Sequence, residues 1–226
     1  MKTKFGAIIV DGRGKIGGHV MTKNRQGSAM RTKVTPTNRS SNTQQAIKSR
    51  LSGFSKAWRG LTDAQRSAWN SAAPDFQRHN IFGDSYSPTG FNLYQIINQN
   101  LAVIGVAAVS SPPVSTAPTP LTALSSLALT AAAMTSTFAP TPVAANNKLV
   151  VEATRPLSAG KGTAKSEFRT VQVFAAAQAT PADTFASYSA KFGAPVVGKR
   201  IFVRAYTIHS VSGIRSLPFQ YDAVAA

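Results

Sequence analysis

Cysteine is absent from the 226 residues, so neither disulfides nor thiolate-ligated metals hold this fold. Acidic residues are scarce as well: eight Asp and Glu stand against 25 Lys and Arg, a formal charge of +17. With no close carboxylate pair, general acid–base chemistry has little to work with. The three histidines, His19, His79 and His209, fall in three separate segments without metal-ligand spacing. No G-x-S-x-G elbow, H-E-x-x-H or phosphate-binding lysine loop occurs. Residues Gly12 to Gly17 give part of a dinucleotide-binding glycine pattern. No long parallel-strand unit follows, however, and no acid lies about 20 positions on, so a glycine turn in a ribbon is the better reading. Taken together, these gaps weigh against an enzyme, and neither a metal site nor a cofactor is expected.

Long hydrophobic runs are missing too. Residues 101–147 carry no charge, but prolines and serines break them up, and no stretch suits a bilayer span. The run Phe5–Val10 is too short for the apolar core of a secretory leader and leads into Asp11 and Gly12. No membrane partner is expected.

What the chain does have is a steep charge gradient. Residues 1–59 hold 13 Lys and Arg and one acid, Asp11, a net of +12; of the total +17 only +5 remains for the other 167 residues. Such asymmetry points to a polyanion or an acidic protein surface as partner. Lys15, Lys23, Arg25, Arg31, Lys33, Arg39 and Arg50 are the candidates to meet phosphates or carboxylates. Reading of base sequence has no support, since neither a recognition helix nor a zinc module is visible.

In chain order, Phe5–Val10 and Ile16–Met21, with glycine-bearing turns at 11–14 and 24–27, predict a small β-ribbon. A helix is expected from Asn42 or Thr43, because Ile47, Leu51, Phe54, Trp58 and Leu61 step by four and three residues along one stripe. Thr62 and Gln65 form a capping box for a second helix, with Ala64, Ala68, Trp69 and Ala72 inward and Pro74 as its stop. At helical spacing on inner faces, Leu51, Phe54, Trp58, Leu61 and Trp69 are expected as core. Phe91, Tyr94, Ile97, Leu101 and Ile104 predict a third helix, capped near Ser87 or Thr89 and ended at Gly105. The loop between carries Phe76, Ile81 and Phe82, expected to tuck against the helices. Residues 106–120, with four prolines, read as a stiff linker.

Beyond Leu121 the pattern becomes β, with candidate strands at Leu127–Phe138, Lys148–Thr154, Phe168–Phe174, Thr184–Tyr188, Arg200–His209 and Leu217–Val224. The expected class is therefore α+β. Residues 1–105 form a basic β-ribbon with a helical hairpin or three-helix cluster, 106–120 a linker, and 121–226 a β-sandwich. The stretch GKRIFVRAYTIHSVSGIRSLPFQY resembles the closing strands of fibronectin type III and related immunoglobulin-like domains.

A second resemblance covers about residues 5–73. It is carried by Gly14–Gly18, Asn24, Arg25, Gly27, Arg31, Pro36, Asn42, Gln45, Arg50, Phe54 and the run Trp58–Asn70. This pattern resembles small proteins of tailed bacteriophages of Bacteroidetes-type hosts. Arg39 departs from it, standing where a proline often follows the asparagine. The resemblance implies a virion structural component, such as a capsid-associated, decoration or head–tail joining protein, assembled in the host cytoplasm. Its partners would be capsid, portal or neck subunits and symmetric copies of itself, with packaged DNA as a further candidate. A nucleic-acid-binding packaging or histone-like protein is the alternative reading of the same basic segment.

Overall fold

The computed structural model describes residues 2–4, 12–35 and 41–226. The expected strand Phe5–Val10 and the candidate Arg39 lie outside the described residues. The chain folds as a mixed α+β protein, and it divides into two compact units. Unit 1 comprises residues 1–96 and 110–112; unit 2 comprises 97–109 and 113–226.

Unit 1 begins with strands β1 (Lys2–Thr3), β2 (Gly14–Ile16), β3 (His19–Asn24) and β4 (Gly27–Thr32). They form an antiparallel ribbon in the order β1-β4-β3-β2. Helix α1 (Asn42–Arg59) starts one residue earlier than the sequence suggests: Ser41 is its N-cap, accepting from the backbone N–H of Gln44. Helix α2 (Asp63–Ala72) carries the full capping box, with Thr62 and Gln65 bonded reciprocally at 3.2 and 3.0 Å. Pro74 does not stop the chain's coiling outright. It sits in the first turn of a short 3-10 segment, Ala73–Phe76, where its missing N–H costs nothing. A two-stranded hairpin follows, β5 (Arg78–His79) with β6 (Ser85–Tyr86).

Helix α3 (Gly90–Val103) has Thr89 at its N-cap, accepting from Asn92 N–H. Gly105 closes it with φ +69°, while Val106 N–H reaches back to Leu101 O. The division between the two units falls inside this helix, between Ile96 and Ile97.

The core of unit 1 is aromatic. Tyr94, almost fully buried, has three rings set around it: Phe54 at 6.4 Å, Trp58 at 5.3 Å and Trp69 at 5.4 Å between centroids. Edge-on geometries such as the 88° Trp69–Tyr94 contact place ring hydrogens on the facing π cloud. Phe91 completes the cluster against Trp58. Gly90 allows α2 to come this close. A Cβ there would sit 2.5 Å from Asn70 Oδ1 and 2.8 Å from its backbone N, and Gly90 N–H itself donates to that Oδ1.

Not every expected core residue belongs to this cluster. Trp69 is completely buried, Phe54, Trp58 and Leu61 are half-buried, and Leu51 is 46% exposed. The apolar stripe of α1 is real, but only its C-terminal half has neighbours. Ala64 and Ala68 also stay exposed, because α2 turns Trp69 and the following Ala73 inward. Ile81 and Phe82 do not tuck in, being 75% and 43% exposed. Asn80 Oδ1 accepts from both Phe82 N–H and Asp84 N–H, and that turn leaves the two apolar tips outside.

Unit 2 contains β7 (Ala123–Thr130), β8 (Ala133–Ala139), β9 (Asn147–Ala153), β10 (Arg169–Ala176), β11 (Ala182–Asp183), helix α4 (Phe185–Phe192), β12 (Arg200–His209) and β13 (Phe219–Val224). They build a three-stranded sheet, β11-β8-β7, and a four-stranded sheet, β10-β9-β12-β13, with every pairing antiparallel. Met134 and Phe138 from the first sheet meet Leu149, Val151, Ile201 and Val203 from the second in one buried cluster.

Two expected strands are corrected here. Leu127–Phe138 is two strands, β7 and β8, turning at 131–132, where Thr130 Oγ1 caps Ala132 N–H. Thr184–Tyr188 belongs to helix α4: Phe185, Tyr188 and Phe192 recur at helical spacing, Tyr188 is fully buried, and its hydroxyl donates to Thr154 O at 3.0 Å.

The proline-rich segment 106–120 has no regular secondary structure, yet it is a strap more than a free stalk. In unit 2, Val109 is bonded twice to the buried amide of Asn98, and Thr116 O and Thr119 O accept from Ser212 and Thr207 hydroxyls. In unit 1, Ser110 O accepts from Trp69 Nε1 at 2.7 Å.

Candidate partner-binding surface

The ribbon fixes where the N-terminal basic groups point. Lys15 is paired with Val20, and Val20 with Arg31, so Lys15 and Arg31 project from the same face. Lys23 lies one register position away from the Thr22 row and projects from the opposite face. Arg25 occupies the two-residue turn between β3 and β4, where Asn24 Oδ1 accepts from Gln26 N–H. Lys33 follows β4, anchored through its backbone to Gly18 O, and Arg50 is exposed on α1. The six described candidates thus form no single cluster. They spread over both ribbon faces, the turn and the helix.

Lys15, Arg25, Arg31, Lys33 and Arg50 are all exposed and make no ion pair among the described residues. Ion pairs of unit 1 include Lys4–Asp84 at 3.1 Å and Arg66–Asp63 at 2.6 Å. The Asp84 carboxyl is held below its usual range, because Asn80 donates to it and then because Lys4 does. Asn80 Nδ2 also donates to Gln26 O, and Lys2 Nζ reaches both oxygens of Gln26. The β5–β6 hairpin therefore clamps the ribbon's turn.

That clamp creates a feature the sequence reading missed. Between the turn, α1 and α3 lies a cleft of about 470 Å³, with Arg25 and Arg78 among its lining residues and Leu51, Phe91 and Ile96 on its apolar side. Gln95 forms part of its wall. It is 5% exposed, its Nε2 donates to Ser55 Oγ at 3.0 Å, and its Oε1 has no partner among the described residues. Arg78 was hidden in a loop whose only signal was the N-x-x-G-D turn at residues 80–84.

Unit 2 treats its charges differently. Glu152, 8% exposed on β9, accepts from Arg204 Nε at 2.5 Å and from the Tyr206 hydroxyl at 3.1 Å. Arg204 stacks on Phe168 at 4.2 Å and Arg215 on Tyr206 at 4.7 Å. Burial, and then the neighbouring Glu152 charge, push the Tyr206 phenol up to about 12. Lys161–Glu167 and Arg200–Asp222 are further pairs. A second, smaller cleft beside Arg155, Glu167 and Arg169 has its carboxylate already taken by Lys161.

Among the described residues no group of three or more His, Asp and Glu is placed to hold a metal, and no helix is long and apolar enough to cross a membrane. No protein-family model, no curated protein and no solved structure matches the chain.

Proposed function

We propose that this is a structural protein of a tailed-bacteriophage particle, attached through the basic module of unit 1 and presenting unit 2 as an immunoglobulin-like or fibronectin type III-like β-sandwich. The virion assignment rests on the sequence resemblance over residues 5–73. The mode of action rests on one observation: Lys15, Arg25, Arg31, Lys33 and Arg50 are exposed without an ion pair among the described residues. Cations left over after folding attract a partner's carboxylates or phosphates.

The sandwich reading is supported by strand order. The first, second and fifth strands of unit 2 share one sheet, and the fourth, third, sixth and seventh share the other, around a common core. Such a protein acts by binding alone, and many symmetric copies on a particle multiply weak contacts into stable attachment. Assembly would take place in the host cytoplasm, and the protein's place of work would be the particle.

The test is co-sedimentation of the purified chain with particle shells emptied of DNA. Binding to empty shells is expected. Failure there, together with tight DNA binding that weakens steeply with salt in a gel shift, would replace this reading with that of a packaging protein.

A further inference from the structure

We infer that the cleft between the β3–β4 turn, α1 and α3 is a docking site for an acidic peptide segment with an apolar anchor, supplied by a neighbouring protein. The proposal rests on the reading of unit 1 as an anchoring module and names what that module grips.

Two observations converge on this chemistry. The cleft carries two guanidinium groups, Arg25 and Arg78, and among the described residues no carboxylate lines it. A planar, five-donor guanidinium pairs with carboxylates in a bidentate fork. Leu51, Phe91 and Ile96 also line the cleft, and this apolar track does not end at the rim. From Leu51 in the cleft it continues one helical turn back to Ile47, 54% exposed, on a stretch of α1 (residues 42–53) in which every residue is exposed.

The same features choose among occupants. A nucleic acid offers phosphate oxygens, which suit the arginines but leave Leu51 and Phe91 uncovered. A second copy of this chain brings its own excess of cations: residues 1–96 hold fifteen Lys and Arg against four Asp, a net of +11. Juxtaposing two such surfaces is repulsive. An acidic segment with a leucine or aromatic side chain satisfies the arginines and the apolar lining residues together.

The test is fluorescence anisotropy of the full chain with a short labelled peptide rich in Asp and Leu. Saturable binding is expected, weakened about tenfold or more by Arg25→Glu with Arg78→Glu and changed much less by Lys15→Glu with Arg31→Glu. All four positions are exposed, and an unchanged melting temperature checks that each variant folds. The proposal is overturned if an Asp-only peptide binds equally well, if duplex DNA competes more strongly than the peptide, or if the Lys15/Arg31 variant loses as much as the Arg25/Arg78 variant. Binding to empty shells separates the two claims. Shell binding untouched by Arg25→Glu with Arg78→Glu defeats the cleft and leaves the anchoring role standing. Peptide binding without any shell binding does the reverse.

Discussion

Unit 2 spends its charges on its own fold, whereas unit 1 keeps most of its charges in reserve. Of the four carboxylates in unit 2, Glu152, Glu167 and Asp222 close ion pairs, and Asp183 accepts from the Phe185 backbone. Most of its basic side chains are likewise occupied: Arg204 and Arg215 lie over aromatic rings, and Lys148 and Lys191 donate to backbone carbonyls. In unit 1, even four fully used carboxylates would leave eleven of fifteen cations in excess. Self-repulsion of that size opposes compaction, so it is nothing that folding requires. The two cores differ in the same spirit. Unit 2 interlocks mainly aliphatic residues from two sheets, with Phe138, Phe174 and Tyr188 of α4 among them, while unit 1 gathers five aromatic rings from three helices and leaves half of α1 bare.

The sharpest way to break this contrast is to remove the centre of the aromatic cluster. Trp69→Ala should destabilise by about 3–5 kcal/mol, through lost burial and the cavity left behind. Trp58→Ala, at a half-buried ring, should cost clearly less, and calorimetric melts of the two variants give the ranking. Equal melts would mean that Trp69 is not the keystone.

The buried charge of unit 2 should reveal itself in alkali. Folded Tyr206 keeps its proton to about pH 12, whereas an unfolded tyrosine releases it near 10.0. Between those values the unfolded chain binds fewer protons, so stability falls as pH rises. It is fully present below pH 10 and lost by roughly 2–3 kcal/mol at the upper end. Denaturant melts at stepped pH measure the decline, which should shrink in Tyr206→Phe.

Gly90→Ala forces a methyl group into α2's backbone and should cost about 1–3 kcal/mol, read as a lowered melting temperature. The smallest stability effect is expected for Lys15→Glu with Arg31→Glu, within about 0.5 kcal/mol of the parent chain. That variant should nonetheless bind empty shells more weakly in co-sedimentation. A large loss of stability from it would show that the ribbon's charges do serve the fold, and the contrast between the units would collapse.

How much of this was legible in the sequence depends on whether a signal is local. The capping box at Thr62 and Gln65 and the strand Arg200–His209 could be read directly, and the cap of α3 could be narrowed to Ser87 or Thr89, because the residues that decide them are neighbours in sequence. The stripe on α1 was legible too, but whether anything covers it is a matter of distant contacts, and Leu51 proved exposed. The β7–β8 turn is built from alanines and carries no turn residue at its tip, so two strands read as one. Helix α4 was mistaken for a strand because its β-prone aromatics outweighed their three- and four-residue spacing. The cleft escaped notice since Arg25 and Arg78 lie 53 positions apart and meet only through the Asn80 clamp.

The aromatic cluster has one more consequence. Both tryptophans of the chain belong to unit 1 and pack edge-on or tilted against the same tyrosine, while unit 2 has tyrosines only. Tryptophan emission is therefore a built-in optical label on one half of the molecule, fed by energy transfer from Tyr94, and the other half is dark in that channel. Denaturation followed by emission and by circular dichroism yields two curves from an unmodified chain. Their coincidence or separation tells whether the division within α3 is a boundary between two cooperative folding units or only a change of scenery along one.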